Sequence, residues 1–349
     1  MDSARWAAFD AAVGGRGAAA LSFVRKPGAV AESHWSPHAA VEPAFLAYSI
    51  TKTFIATCVL QLWEARQLDL GDLLSRWFPK IDRAERISLR QLLNHTAGVP
   101  DYGSLPRYHD AIKSSPSQPW SFEQFANETF RRGLAFEPGS DWSYSNVGYM
   151  LLRAIVEIVS GQSLSRLLSE RVFRPLGLTR TFVPEAVADL ASLAPAPSTA
   201  LSKDGAARDA RLYYHPGWVS HGVVASTASD IARFFDALFA GSVLSRSSLE
   251  AMTTLVAVPP HCAPGVPGEP SYGLGLMGDP TTPRGPSYGH GGGGPSYQAH
   301  VHHLAGPGIT VCVMAAIERD FDAQEVGWRV LQRLVDSDLH PSHQAGEET

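Results

Sequence analysis

Residues 48–54 read YSITKTF, and the reading of this heptad decides the fold. Ser49 and Lys52 stand three positions apart where an apolar run of helical period begins, with Ile50, Phe54, Ile55, Cys58, Val59 and Leu62 on one stripe that continues to about residue 66. The spacing predicts a helix packed into the core, with Ser49 at its N-terminus and Lys52 one turn in, within reach of the hydroxyl. A serine hydroxyl is a poor nucleophile until a base takes its proton, and lysine can be that base only when burial or nearby positive charge lowers its pKa. A helix N-terminus adds free N–H groups and a positive dipole end, which favour negative charge on an attacked carbonyl oxygen. Taken alone, the pair also reads as an N-cap serine followed by a surface lysine, since Ser-x-x-Lys arises by chance about once in a chain of this length. Two facts weigh for chemistry: the chain has five lysines in all, and this one lies in a strongly apolar stretch.

Two further segments bear on the same question. In DWSYSNVGYM, Tyr144 and Asn146 are two apart in an extended or turn segment just before an apolar helix, so they project to one side. A phenol held near a cationic lysine can act as a base, and an amide can donate to a substrate carbonyl; the bland alternative is an N-cap asparagine beside a core tyrosine. In YGHGGGGPSY, His290 ends a short strand and the glycines after it let backbone approach a ligand. The Gly293 N–H is a candidate partner of the Ser49 N–H in an oxyanion hole.

The 349 residues, 44% apolar, suffice for a large core, and a formal charge of -5 without a basic block argues against nucleic acid. The first residues carry Asp2, Asp10 and a Gly14 to Gly17 break that spoil an apolar leader, and no apolar run has a membrane-spanning length. A soluble, cytoplasmic protein with no membrane partner is the expectation. Cys58, Cys262 and Cys312 are odd in number and far apart, which fits free thiols.

Along the chain, residues 3–13 read as a helix and AAALSFVRKPGAVAESHWS as a hairpin turning at Lys26-Pro27-Gly28. Residues 72–210 alternate helical runs with Pro- and Gly-rich connections at 98–119 and 194–205. After residue 218 come a helix in TASDIARFFDALFAG, another near 245–256, strand-like YGLGLMG, SYQAHVHHL and GITVCVMAA, and a closing helix at 321–337. Sheet-forming segments thus occupy both ends of the chain. The expected division is a discontinuous sheet domain of residues 1–71 and 211–340, a mostly helical domain of residues 72–210, and a flexible tail of residues 341–349.

Ser49-x-x-Lys52, Tyr144-x-Asn146 and His290-Gly291-Gly292, in this order, resemble the serine β-lactamase and penicillin-binding superfamily. The likeness is to its class C β-lactamase-like branch, with esterase, D-amino-acid amidase, peptidase and acyltransferase members. LLNHTAGVP at 92–100, FEPGSDWSYSN at 136–146 and STASDIARF at 226–234 extend the resemblance to about residues 15–335. It implies an α+β fold of β-lactamase/transpeptidase type, an antiparallel sheet flanked by helices beside a mostly helical region. It also implies that Ser49 is acylated, that Lys52 and Tyr144 handle protons, that Asn146 holds the acyl-side carbonyl, and that the Ser49 and Gly293 N–H groups form the oxyanion hole. No metal or organic cofactor is implied. The partner would be a small-molecule acyl donor, an ester or amide, with water, an amine or an alcohol as acceptor.

Members that act on β-lactams or cell-wall peptides generally carry Lys-Thr-Gly at the third motif, where cation and hydroxyl help hold a carboxylate. His290 and Gly291 stand there instead, which points to neutral esters or amides over carboxylate-bearing β-lactams. The leading expectation is hydrolysis of a small ester or related amide, followed by acyl transfer to an amine or alcohol, then β-lactamase or D-amino-acid peptidase activity, then a silent binding relative. His221 stands where relatives usually have a small residue; it reads either as a pocket-lining group or as a surface or hydrogen-bonded structural histidine. Gly285-Pro286-Ser287-Tyr288-Gly289 fits the Gly-x-Ser-x-Gly elbow only formally, since a proline precedes the serine and glycines follow it. His300, His302 and His303 read as ordinary strand histidines.

Overall fold

The structure, a computed structural model, describes residues 4–35, 41–131, 133–263 and 268–339. Its centre is an eight-stranded antiparallel sheet drawn from both ends of the chain, in the order β2-β1-β12-β11-β10-β9-β8-β7. The N-terminal hairpin contributes β1 (Ala19–Val24) and β2 (Glu32–Trp35). The C-terminal part contributes β7 (Val256–Ala257), β8 (Ser271–Tyr272), β9 (Met277–Asp279), β10 (Ser287–Gly293), β11 (Gln298–Leu304) and β12 (Ile309–Ala315). The ends meet where β1 pairs with β12, Ala19 opposite Ala315 and Val24 opposite Thr310.

Every residue of β1 and β12 is buried because helices cover both faces. Leu21, Phe23, Val311 and Val313 point outward, where they pack with Phe9 of α1 (Ala4–Val13) and with Val330 and Leu334 of α10 (Ala323–Leu339). Ala20, Val24, Cys312 and Met314 alternate onto the opposite face and join the main core. There α8 (Ala228–Phe239) lies against β1 and β12, and α2 (Thr51–Glu64) runs deeper, with Phe54 stacked on Phe234 at 3.9 Å.

The segment between is mostly helical: α3 (Leu89–Leu93), α4 (Pro106–Ser114), α5 (Phe122–Phe130), α6 (Asn146–Ser160) and α7 (Leu164–Leu168), with α9 (Arg246–Thr253) following later in the chain. Capping boxes start α3 at Ser88 with Gln91 and α5 at Ser121 with Gln124, and Gly161, at φ 66°, ends α6 in the left-handed conformation. Helix α4 falls inside a stretch that reads as a Pro- and Gly-rich connection; Pro106 there starts the helix at its first turn. Two small ladders complete the fold, β3 (Ala44–Leu46) with β6 (Ala225–Thr227) and β4 (Pro197–Ser198) with β5 (Arg208–Asp209). The expected tail at 341–349 lies outside the described residues. Among the described residues, no helix is long and apolar enough to cross a membrane.

Candidate active site

Ser49 lies in a 3-10 turn, Tyr48–Ile50, that runs into α2 at Thr51, so the helix begins two residues later than its stripe suggests. The turn is pinned from several sides: Ala47 N–H donates to Val224 O, Val224 N–H to Thr51 Oγ1, and Thr53 Oγ1 to Gly275 O. Tyr48 holds φ at 43°, unusual for a bulky residue, and its phenol donates to Pro295 O at 2.8 Å in the loop after β10. The strain falls immediately before Ser49, where surrounding contacts must over-determine it.

Lys52 is fully buried, whereas Ser49, Tyr144 and Asn146 are partly exposed. The Lys52 Nζ is 3.1 Å from Ser49 Oγ, 2.7 Å from Asn146 Oδ1 and 3.3 Å from His221 Nε2, and it lies 4.7 Å from the centre of the Tyr144 ring. A buried amine and an accessible hydroxyl are what a proton acceptor and its nucleophile require. Burial drives the Lys52 pKa well below the usual lysine range, and Asp101 opposes that shift. Loss of solvent raises the Tyr144 phenol above its usual value, with the Ser49 hydroxyl acting against the shift. Both directions keep the proton on the phenol and favour the free amine, the reverse of a resting phenolate beside an ammonium.

Asn146 heads α6, and Ser145 caps that helix by accepting from Gly148 N–H. Asp101 fixes Asn146 twice, accepting its backbone N–H at 2.8 Å and its side-chain N–H at 3.2 Å, so Oδ1 is turned toward Lys52. The Ser145 N–H donates to His95 Nδ1 at 3.2 Å, which assigns the His95 proton to Nε2. His95 adopts φ 64°, and its ring lies 4.4 Å from that of Tyr144 and 4.6 Å from that of Tyr272. Asp101 and Tyr272 stand outside the three catalytic motifs, and His95 lies within the LLNHTAGVP signature that Asp101 directly follows; that loop folds back onto Tyr144 and Asn146.

The third motif differs from its expected arrangement. His290 lies in the middle of β10, and the strand continues through Gly291, Gly292 and Gly293. Its imidazole is 0% exposed; Nε2 lies 2.8 Å from the Tyr272 hydroxyl and Nδ1 2.6 Å from Gly291 O. Both nitrogens are thereby spent inside the protein, and burial, then Lys52, lowers the pKa to about 3. The side chain of His290 is thereby tied to β8 through Tyr272 and to its own strand through Gly291. Gly292 permits close approach to the nucleophile turn: a Cβ there would stand 2.1 Å from Ala47 O and 3.1 Å from Ser49 N. Gly293 follows, exposed, at the strand end beside that turn.

His221 is not a surface residue but a buried, hydrogen-bonded one. It is 1% exposed and touches Lys52, and burial, then Lys52, holds its pKa well below the usual histidine range. Ser287 opens β10 with no helix after it, which removes the elbow alternative. A cavity of about 700 Å³ lined by Trp63, Glu64, Asp69 and Ser248 sits at the far end of α2 and contains none of these groups. Among the described residues, no group of three or more His, Cys, Asp or Glu side chains is arranged to hold a metal. Cys58, Cys262 and Cys312 are free, and burial pushes the Cys58 thiol up to about 12.

Comparison with known proteins bears on the fold and the family. A D-stereospecific amidohydrolase from Streptomyces sp. superposes with a TM-score of 0.81 at 26% identity, over 98% of this chain and 100% of that one. The D-amino acid amidase of Ochrobactrum anthropi SV3, complexed with L-phenylalanine amide, does so with a TM-score of 0.82 at 25% identity, over 96% and 99%. A penicillin-binding protein of Bacillus subtilis (strain 168) is 28% identical over 305 residues, 82% of this chain and 64% of that protein, so the chain spans less than two thirds of that relative's length. The family model described as Beta-lactamase matches residues 7–334, and the chain belongs to that family, in its class C-like branch of amidase and penicillin-binding relatives.

Proposed function

We propose that the protein hydrolyses a small ester or related amide through an acyl-enzyme at Ser49. The observation that carries this reading is the buried Lys52 amine, 3.1 Å from the accessible Ser49 hydroxyl and held from its other side by Asn146 Oδ1. In the proposed cycle Lys52 takes the Ser49 proton as Oγ attacks the carbonyl carbon, and the oxyanion is received by the N–H groups of Ser49 and Gly293. The Tyr144 phenol passes its proton to the leaving alkoxide or amine and is reprotonated from Lys52. Asn146 has a second side-chain N–H for the acyl-side carbonyl. Water, activated by the same amine, then cleaves the acyl ester and restores the serine.

Substrates without a carboxylate beside the scissile bond are favoured, because the third motif supplies a neutral, internally bonded imidazole and a glycine. The amidohydrolase and amidase relatives support amides of D-configured acyl groups as the first amides to test. The test is time-resolved intact mass of wild type and Ser49→Ala with a p-nitrophenyl ester, D- and L-amino-acid amides and a penicillin, each with and without added amine. Acylation of wild type alone, by the ester or a D-amide and not by the penicillin, is expected. Faster loss of the acyl mass with amine would move the reading to acyl transfer, and acylation by penicillin alone would overturn the substrate class.

A further inference from the structure

We propose that His221 is a positioning residue for Lys52, an acceptor that aims the amine's lone pair at Ser49. The inference rests on the reading of Lys52 as the base for Ser49. A lysine ammonium has three N–H donors, and Lys52 Nζ has three acceptors around it, Ser49 Oγ, Asn146 Oδ1 and His221 Nε2. Once neutral, the amine keeps two N–H bonds and gains a lone pair. With Asn146 Oδ1 and His221 Nε2 taking the two donors, the lone pair has one direction left, toward the Ser49 O–H. Without His221, one N–H is released to compete for the serine oxygen, and the orientation that accepts the serine proton is no longer selected.

The role requires the His221 proton on Nδ1, with Nε2 as acceptor; an Nε2–H would instead occupy the lone pair and silence the base. The rest of the environment is consistent with an imidazole kept for this contact. Nδ1 is buried and has no hydrogen-bond partner among the described residues, so the contact to Lys52 is the one polar bond the ring makes there. The next residue, Gly222, has φ 82°, a backbone conformation that turns the chain sharply just after the histidine. The groups whose charge or dipole bears on the pair come from every neighbouring element: Asp101 and His95 from the loop after α3, Tyr144, Tyr149 and Arg153 from around α6, and His290 from β10. Burial, then Lys52, then Arg153 disfavour a charged His221, and Asp101 favours the ammonium, so the proton exchanged with Ser49 resides on Lys52 and the imidazole stays neutral.

The test uses the full chain with p-nitrophenyl acetate, reading the acylation rate against pH in wild type, His221→Leu and His221→Gln, with Ser49→Ala as the blank. His221→Leu should lower the acylation plateau about 100-fold. It should also move the acidic limb down by about one pH unit, because the ammonium loses a charge-assisted acceptor. His221→Gln, whose Oε1 reaches the place of Nε2, should recover most of the rate and return the limb. Folded His221→Leu with a rate within about threefold of wild type and an unmoved limb would overturn the proposal; so would a rate loss that Gln does not recover. If His221→Leu does not fold, nitrogen NMR of labelled wild type decides, with Nδ1–H and an Nε2 resonance displaced in Lys52→Met expected, and a proton on Nε2 overturning the assignment. Absent Ser49-dependent turnover in wild type would count against the hydrolase reading, and the NMR result would still decide the tautomer.

Discussion

The histidines of β11 and those around Lys52 are equally buried but differently used. His302 Nε2 bonds to Gln324 O at 3.0 Å on the α10 side of the sheet, and His303 Nδ1 bonds to Thr310 Oγ1 at 2.8 Å on the other, its ring stacked 3.9 Å from Phe239. Around Lys52, by contrast, polar atoms are left over: His221 Nδ1, His95 Nε2, Trp142 Nε1 and Ser220 Oγ have no hydrogen-bond partner among the described residues. Folding alone selects against such atoms, each of which costs about 1–3 kcal/mol. Two histidines with an unpaired ring nitrogen close to a buried amine, next to a strained Tyr48, fit a site in which stability is given up for chemistry.

The contrast predicts that the cleft controls rate and the strand controls stability. The largest effect should come from Ser49→Ala, with no acyl mass at all, and from Lys52→Ala, with acylation down about 1,000-fold or more in proteins that melt as wild type does. Near-normal turnover in Lys52→Ala would remove the amine from its assigned role. Tyr144→Phe should cost about 100-fold in acylation by poor leaving groups such as amides, and less for p-nitrophenyl esters, whose leaving group needs little proton help. Equal losses with both substrate types would show the phenol acting elsewhere.

On the strand side, His303→Leu should leave kcat/KM within about twofold while lowering stability in urea by ~1–3 kcal/mol, because the Thr310 hydroxyl loses its buried partner. A large rate effect there would break the comparison. Stability should also depend on pH. Burial lowers the folded-state pKa of His302 to about 4 and of His303 to about 3, against ~6.5 in the unfolded chain. Below ~6.5 the unfolded chain therefore binds more protons, so stability is full above that pH and declines as pH falls toward about 4, by ~1.4 kcal/mol per pH unit for each such histidine. Urea midpoints across this range should fall accordingly, with a shallower decline in His302→Gln; a midpoint insensitive to pH would mean that these imidazoles are not held neutral.

Much of this was legible in the chain itself. The stripe from Ile50 to Leu62 determined a buried helix, the alternation in SYQAHVHHL and GITVCVMAA determined strands, and the order of three short motifs determined the family, because each signal is local or is a spacing along the chain. The helix α4 was not legible, since it is short, buries Ile112 alone, and opens on Pro106 in a stretch whose prolines and glycines read as a connection. The roles of three histidines were also decided by tertiary structure. His290 stands in the third motif, yet Tyr272 and its own strand consume both its nitrogens; His221 stands in no motif, yet the turn before β6 brings it to Lys52. His95 and Asp101 join the site through the loop after α3. Sequence thus determined which residue types can carry the chemistry, whereas hydrogen-bond partners and burial, which set protonation and free valence, come from segments distant in the chain, 169 positions apart for Lys52 and His221 and 247 for Tyr48 and Pro295.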